Sequence, residues 1–171
     1  MEMKNAIGTK QVMLAHMTRQ EYNDYRGWEL PGDEDGSDEG YLVEYTNGSK
    51  SNHPDHAGYI SWSPKAQADN AYQESGNMSF GHAIEMMKAG HKVARSGWDG
   101  KGMWCIYNPG SKGQTHAMFD GSVYKSHGVN ECEILPHFDM YTVNSSGRRA
   151  MLPGWLASQS DMDADDWCVV D

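Results

Sequence analysis

A chain of 171 residues, 38% hydrophobic and 22% charged, is long enough for one ordinary domain or two small ones and can bury a core. Its net charge of −10 and pI near 5.1 exclude a binder of long nucleic acids, which needs a basic face to neutralise phosphates. No apolar run approaches the roughly 18–20 residues of a membrane span, and the start lacks a charged and then apolar leader, so a soluble, cytoplasmic protein is expected.

Charge is uneven along the chain. Residues 1–76 hold 6 Lys/Arg against 13 Asp/Glu, and residues 77–171 hold 8 against 11. The polar joint Gln73-Glu74-Ser75-Gly76-Asn77 has no periodicity, and Met78 then reads like a fresh start. Two modules in series are expected, 1–76 and 77–171.

In the first module, Gln11–Ala15 reads as a strand, and Thr18-Arg19-Gln20-Glu21 is a capping box opening a short helix. Gly32–Gly40 is acidic and nearly free of apolar side chains, so it is expected to be a mobile surface loop. Tyr41–Tyr45 alternates as a strand, followed by Asn47-Gly48, a tight hairpin signal because both residues tolerate positive φ. Tyr59–Trp62 is another strand, and Ser63-Pro64 reads as N-cap and first residue of a helix to about Tyr72.

In the second module, Ser79 caps a helix whose Phe80, Ala83, Ile84 and Met87 share one face, with Gly90 closing it. Lys92–Arg95 and Met103–Tyr107 read as strands around the loop Gly97–Gly102. Phe119-Asp120-Gly121-Ser122 suggests a turn, and Glu133–Val143 a long strand broken at Pro136. Ser158 caps a final helix with Asp161 at its third position, before a closing strand Trp167–Val170. Each module thus combines an antiparallel sheet with one or two short helices, an α+β class.

Few patterns announce chemistry. Cys105, Cys132 and Cys168 are odd in number and widely spaced, and read as free thiols. His53-Pro54-Asp55-His56 has zinc-binding residue types, but Pro54 opposes a helix aligning the imidazoles and further ligands are lacking, so a solvated loop is expected. Asp161, Asp163 and Asp165 alternate like the start of a calcium loop, yet Asp166 replaces the required glycine and the distal glutamate is missing. Neither a Gly-x-Ser-x-Gly elbow nor a phosphate-binding Gly-Lys loop occurs, and Gly97, Gly100 and Gly102 form only a weak glycine pattern. No metal, no cofactor and no catalytic residues are assigned.

What remains is a set of aromatic residues beside arginines and glycines: Trp98, Trp104, Tyr107, Trp155 and Trp167 with Arg95, Lys101, Arg148 and Arg149. Indoles stack on purines, and arginines fork onto phosphates. Tryptophans also simply fill small cores, which is the assignment for Trp104 and Trp167 in their strand patterns. Trp98 and Trp155 sit in glycine-flanked turns and are the candidate stacking platforms.

Residues 78–171 carry Met78-Ser79-Phe80-Gly81, Val93-Ala94-Arg95 with Gly97-Trp98, and Lys101-Gly102-Met103-Trp104. Leu135-Pro136-His137 with Asp139-Met140 follow, then Gly154-Trp155-Leu156-Ala157-Ser158-Gln159-Ser160-Asp161-Met162 through Asp165-Asp166-Trp167. This set resembles the second Thoeris anti-defense family of phages. The resemblance implies compact α+β subunits assembled as homotetramers in the host bacterial cytoplasm. It also implies a non-enzymatic sponge that binds cyclic ADP-ribose isomers made by TIR-domain enzymes, and in some members cyclic dinucleotides of CBASS-type systems. By that similarity Trp98 and Trp155 are stacking walls of pockets between subunits, and Arg95, Met103, Asp139, Ser158, Asp161, Asp165 and Asp166 line them or hydrogen-bond the ligand. Two competing readings are a metal-dependent phosphodiesterase using Asp161–Asp166 and a protein-interaction or virion module. Residues 1–76 resemble a different recurring phage segment, marked by Met17-Thr18-Arg19, Glu21-Tyr22-Asn23, Tyr25-Arg26-Gly27, Asp38–Tyr45 and Gly58–Lys65, which implies only an accessory role.

Overall fold

The computed structural model describes residues 3–98, 102–111 and 133–170. The chain divides into two compact units, Met1–Gln73 and Glu74–Asp171, each built on an antiparallel sheet with short helices. The fold is α+β. The expected turn at Phe119–Ser122 and Cys132 lie outside the described residues.

The first unit is a three-stranded sheet in the order β1 (Val12–His16), β2 (Gly40–Tyr45), β3 (Tyr59–Pro64). Between β1 and β2, α1 (Arg19–Arg26) opens on the complete capping box: the Thr18 hydroxyl accepts from the Glu21 N–H, and Glu21 accepts from the Thr18 N–H at 2.8 Å. Gly27, with φ +66°, ends it in the left-handed conformation that glycine adopts without strain. The acidic segment expected to be a free loop is tied down instead. The N–H groups of Arg19 and Gln20 donate to the carbonyls of Asp38 and Gly36, and Arg19 forms an ion pair with Glu34. Orphan amides at a helix start attract such carbonyls, and this explains the departure.

The Asn47-Gly48 signal is misleading in its length. Gly48 takes φ +82°, but β3 starts only at Tyr59, so a long connection replaces the tight hairpin. Within it, the Asn52 amide imitates a neighbouring strand, with Oδ1 accepting from the Ile60 N–H (2.8 Å) and Nδ2 donating to the Ile60 carbonyl (2.9 Å). The His53–His56 segment is a loop, as expected, with Pro54 and Asp55 exposed, but its two imidazoles are packed down and not solvated. His53 stacks on Tyr25 at 4.6 Å, and His56 bridges Glu44 (2.7 Å) and the Tyr25 hydroxyl (2.9 Å). The helix after β3, α2 (Lys65–Ala71), begins one residue later than expected, with Pro64 as an N-cap lacking a side-chain bond. Tyr22, Leu42 and Ile60 form this unit's small core, with Met17 and Trp62 packed against it.

The second unit opens with α3 (Phe80–Lys88), capped by Ser79. Its sheet has the order β7-β6-β5-β4-β8, with β4 (Lys92–Arg95), β5 (Trp104–Asn108), β6 (His137–Val143), β7 (Arg149–Pro153) and β8 (Trp167–Val170). All neighbours run antiparallel. β7 is a strand the sequence did not reveal. A short helix, α4 (Gln159–Met162), precedes β8, with Ser158 and Asp161 forming the second capping box. Ala83 and Met87 of α3 pack on Val93, Cys105 and Trp167 to make the core. On the opposite face of the sheet Trp104 stacks on Tyr141 (4.9 Å, 20°), with Lys92 and Arg149 over the rings.

Candidate functional site

The end of β4, the turn after β7, and α4 converge on an aromatic cluster fixed by a partly buried ion network. Trp98, Trp155 and Trp167 pack edge to face, with centroids 5.2 Å (Trp98–Trp167), 6.0 Å (Trp98–Trp155) and 6.3 Å (Trp155–Trp167) apart. That geometry sets the positive edge of one ring against the negative face of the next. Phe80 of α3 adds a fourth ring, 5.6 Å from Trp167 and 6.5 Å from Trp155. Trp167 is fully buried and forms the floor, while Trp98 and Trp155 are half-buried and keep part of their surface outward. Gly154, with φ +75°, supplies the left-handed turn that swings Trp155 under the end of β6, where its N–H donates to the Phe138 carbonyl (2.8 Å).

Asp161 joins these parts. Its Oδ1 accepts from Arg95 Nη1 (3.0 Å) and Trp98 Nε1 (3.1 Å), and its Oδ2 from the Ser158 hydroxyl (2.7 Å) and N–H (3.0 Å). Its carbonyl receives Trp167 Nε1 at 3.1 Å. A carboxylate so surrounded has its acceptor sites occupied within its own unit. Arg95 also donates to Asp166 Oδ1 (2.8 Å) and to the Ser160 carbonyl (3.0 Å). Asp166 Oδ2 in turn gathers the Gly97 N–H (2.8 Å) and the Ser96 hydroxyl (3.1 Å). A side chain on residue 97 would begin 3.1 Å from that oxygen, so glycine there keeps the turn closed onto Asp166.

Electrostatics follow from this wiring. Burial pushes the Asp161 carboxyl up, but the hydrogen bonds from Ser158, Arg95 and Trp98 together outweigh it and hold the group below its ordinary value. Asp166 is held down first by Arg95, against a smaller opposing effect of burial, with the Gly97 and Ser96 donors adding. Asp166 likewise raises Arg95. Both carboxylates therefore stay charged at neutral pH. The Cys105 thiol is pushed up to about 12, by burial first and then by Asp161 and Asp139, which leaves it an inert packing group.

The residues anticipated for this site divide into three groups. Arg95, Trp98, Trp155, Ser158, Asp161 and Asp166 come together as described. Met103 and Asp165 lie apart from this network: the half-buried Met103 accepts from the Thr142 hydroxyl (3.2 Å), and Asp165 is exposed. Asp139 alternates with Phe138 and Met140 along β6 and so stands on the other face of the sheet from the indoles. There it is buried, with Asn108 Nδ2 on its Oδ2 at 3.0 Å. His137 Nε2 approaches the other oxygen to 3.1 Å, near enough for attraction but badly angled, which leaves Oδ1 without a hydrogen bond. Sequence reasoning missed Ser96 and Phe80 as parts of the site, and assigned Trp167 only to the core. No local pattern links residues 95–98 to 161–167. Among the described residues, no group of three or more His, Cys, Asp or Glu could hold a metal ion, and no helix is long and apolar enough to cross a membrane.

The fold and the site define a class: a small antiparallel α+β domain organised around a braced indole cluster. The model of the Thoeris anti-defense 2-like domain matches residues 78–170, and the chain belongs to that family. A relative from Bacillus phage SP01, "Thoeris anti-defense 2", is 32% identical over 94 residues, 54% of this chain and 94% of the relative. The match covers the second unit and makes this an anti-defense protein.

Proposed function

We propose that the protein is a phage sponge for host immune signals: its second unit captures a cyclic nucleotide, a cyclic ADP-ribose isomer or a cyclic dinucleotide, and holds it intact in the host cytoplasm. The observation that carries this reading is the outward part of Trp98 and Trp155, two half-buried indoles braced so that their orientation is set before a ligand arrives. Preorganised aromatic walls bind a purine without the entropic cost of ordering them. In this reading Trp98 and Trp155 touch the ligand, whereas Arg95, Asp161 and Asp166, engaged with one another, act by positioning Trp98. Ser158, Met103 and Asp165 are secondary contacts, whereas Asp139, buried on the other face of the sheet, is left to the packing there, and assembly as a homo-oligomer, a tetramer by family resemblance, completes the pockets.

A sponge has no turnover, so affinity does all the work, and a nanomolar dissociation constant corresponds to about −12.3 kcal/mol. Titration calorimetry of the full chain against cyclic ADP-ribose isomers and cyclic dinucleotides tests the reading. At least one should bind, and Trp98→Ala or Trp155→Ala should weaken it at least tenfold, about 1.4 kcal/mol each. Mass spectrometry after heating the complex should return unaltered ligand. Recovery of AMP or ADP-ribose would convert the protein into a phosphodiesterase, and silence across the whole panel would leave a protein-interaction module.

A further inference from the structure

The first unit carries a line of polar side chains that signal capture does not use. The turn His53–His56, closed by the His56 N–H on the His53 carbonyl (3.3 Å), lays both imidazoles against Tyr25 near the end of α1. His53 stacks on the phenol ring at 24°, and His56 stands edge-on to it (5.8 Å, 85°). Two rings thus fix the orientation of Tyr25, yet the residue remains 37% exposed. Its hydroxyl, 2.9 Å from His56 Nε2, is the first member of a chain Tyr25–His56–Glu44.

The position of each proton in that chain follows from its last member. Glu44 Oε2 lies 2.7 Å from His56 Nδ1, and Oε1 accepts the Gly58 N–H at 2.8 Å. These donors, His56 first, hold the Glu44 carboxyl below its ordinary value. A charged carboxylate only accepts, so Nδ1 carries the proton of the neutral imidazole and Nε2 is left bare. The Tyr25 hydroxyl is then the donor to Nε2. A nucleophile bonded to a base, which is itself oriented by a third group, is the arrangement that activates hydroxyls in acyl transfer. Both nitrogens of His56 are engaged, which leaves none for a metal ion.

We propose that Tyr25 is a base-activated nucleophile that accepts an acyl group from a neutral ester, with His56 as its general base and Glu44 as the positioning residue. Tyr25 Oη forms the bond to the carbonyl carbon as its proton passes to His56 Nε2. The bond to the leaving alcohol then breaks, and that oxygen departs with the bonding pair and takes the proton from His56. The charge around the relay selects the substrate class. Among the described residues of the first unit, no Lys or Arg is hydrogen-bonded or ion-paired to Tyr25, His53, His56 or Glu44, and the charged neighbours are the Glu44 and Asp55 carboxylates. Such surroundings repel a phosphoryl donor and tolerate an uncharged ester. The amides of His53, Asp55, His56 and Gly58 are engaged inside the loop and cannot serve as an oxyanion hole, which suits a single acylation and not turnover. The proposal concerns the first unit and stands whether or not the second captures a nucleotide.

The test treats the full chain with p-nitrophenyl acetate and follows acetylation of each tyrosine by peptide mass mapping. Tyr59 is the comparison within the same molecule: it is 45% exposed, more open than Tyr25, and its hydroxyl is hydrogen-bonded to no base among the described residues. Tyr25 should react at least about tenfold faster than Tyr59, a modest share of what a positioned general base contributes. His56→Gln should bring Tyr25 down to the rate of Tyr59. Glu44→Gln keeps an acceptor for the Gly58 N–H but no longer fixes the imidazole tautomer, and it should slow Tyr25 while leaving Tyr59 unchanged, which also reports that the unit is folded. A purely structural Glu44 predicts the opposite sign, because a loosened loop uncovers Tyr25 and speeds its acetylation. Tyr25 reacting no faster than Tyr59 overturns the proposal, as does a Tyr25 rate that is kept or raised in His56→Gln.

Discussion

The two units solve the same problem with different materials. The first surrounds a core of Tyr22, Leu42 and Ile60 with polar side chains that imitate backbone: Asn52 extends the sheet beside Ile60, Glu44 accepts the Gly58 N–H, and Thr18 caps α1. Its satisfaction is local, mostly between residues close in sequence or adjacent across the sheet. The second has a larger core floored by Trp167, and its polar network reaches across the chain, from Arg95 to Asp161 and Asp166. Local devices brace one loop at a time. A carboxylate shared by an arginine, an indole and a capping serine ties two distant segments, 95–98 and 158–161, into one object, and a change at it should spread.

Breaking that contrast starts at Trp167. Replacing this fully buried ring with alanine removes the floor under Trp98, Trp155 and Phe80 and strands the Asp161 carbonyl. A loss of about 3–5 kcal/mol is expected from such a cavity. Hydrogen exchange resolved by segment should place the loss in residues 74–170 and leave α1 to β3 protected. Loss of protection in both units alike would mean that they share one cooperative transition.

Asp161→Ala comes next. Removing one partner of an ion pair whose side chains are 17% and 11% exposed leaves Arg95 half-compensated and Trp98 Nε1 without its acceptor. About 3 kcal/mol is expected, at the low end for a broken buried pair because Asp166 still holds Arg95. The same network gives a pH signature. Asp161 and Asp166 have folded values below the ordinary aspartate value of about 3.9, so the stability they add is present above that pH. It is lost as pH falls below about 4, through their depressed folded values. Denaturant melts from pH 6 to pH 2 should show this acid loss in the wild type, reduced in Asp161→Asn and Asp166→Asn. An unchanged acid limb in both would show that other carboxylates govern it.

What the sequence disclosed follows the same division between local and distant. The capping boxes at Thr18 and Ser158, the helix after Ser79 and the strands around Lys92 were legible because their signals lie within a few residues. β7 was hidden: Arg-Ala-Met-Leu-Pro is exposed on both sides, so it shows no alternation, and its proline argues against a strand unless one knows it is an edge. Asn47-Gly48 misled because a side-chain amide five residues later completes the sheet where a tight turn was expected. The ion network joins positions more than 60 residues apart, and nothing in single-sequence spacing records which carboxylate an arginine will find. Asp139 was grouped with the indoles by motif alone, whereas strand alternation puts it through the sheet from them.

Asn52→Ala probes the first unit's imitation of backbone. It leaves the N–H and carbonyl of the nearly inaccessible Ile60 unpartnered, and about 1–3 kcal/mol should be lost from that unit alone. The smallest and most discriminating effect is the pair of capping boxes. Thr18→Ala should cost about 1 kcal/mol, the ordinary worth of a cap, because among the described residues the Glu21 carboxylate is hydrogen-bonded to Thr18 alone. Ser158 makes the same two bonds, but the carboxylate it orients is Asp161, whose other oxygen holds Arg95 and Trp98. Ser158→Ala should therefore cost more than Thr18→Ala, although α4 is half the length of α1, and it should alter the fluorescence of Trp98. Equal costs for the two substitutions would reduce Asp161 to an ordinary capping residue and remove the reason for treating the indole cluster as braced.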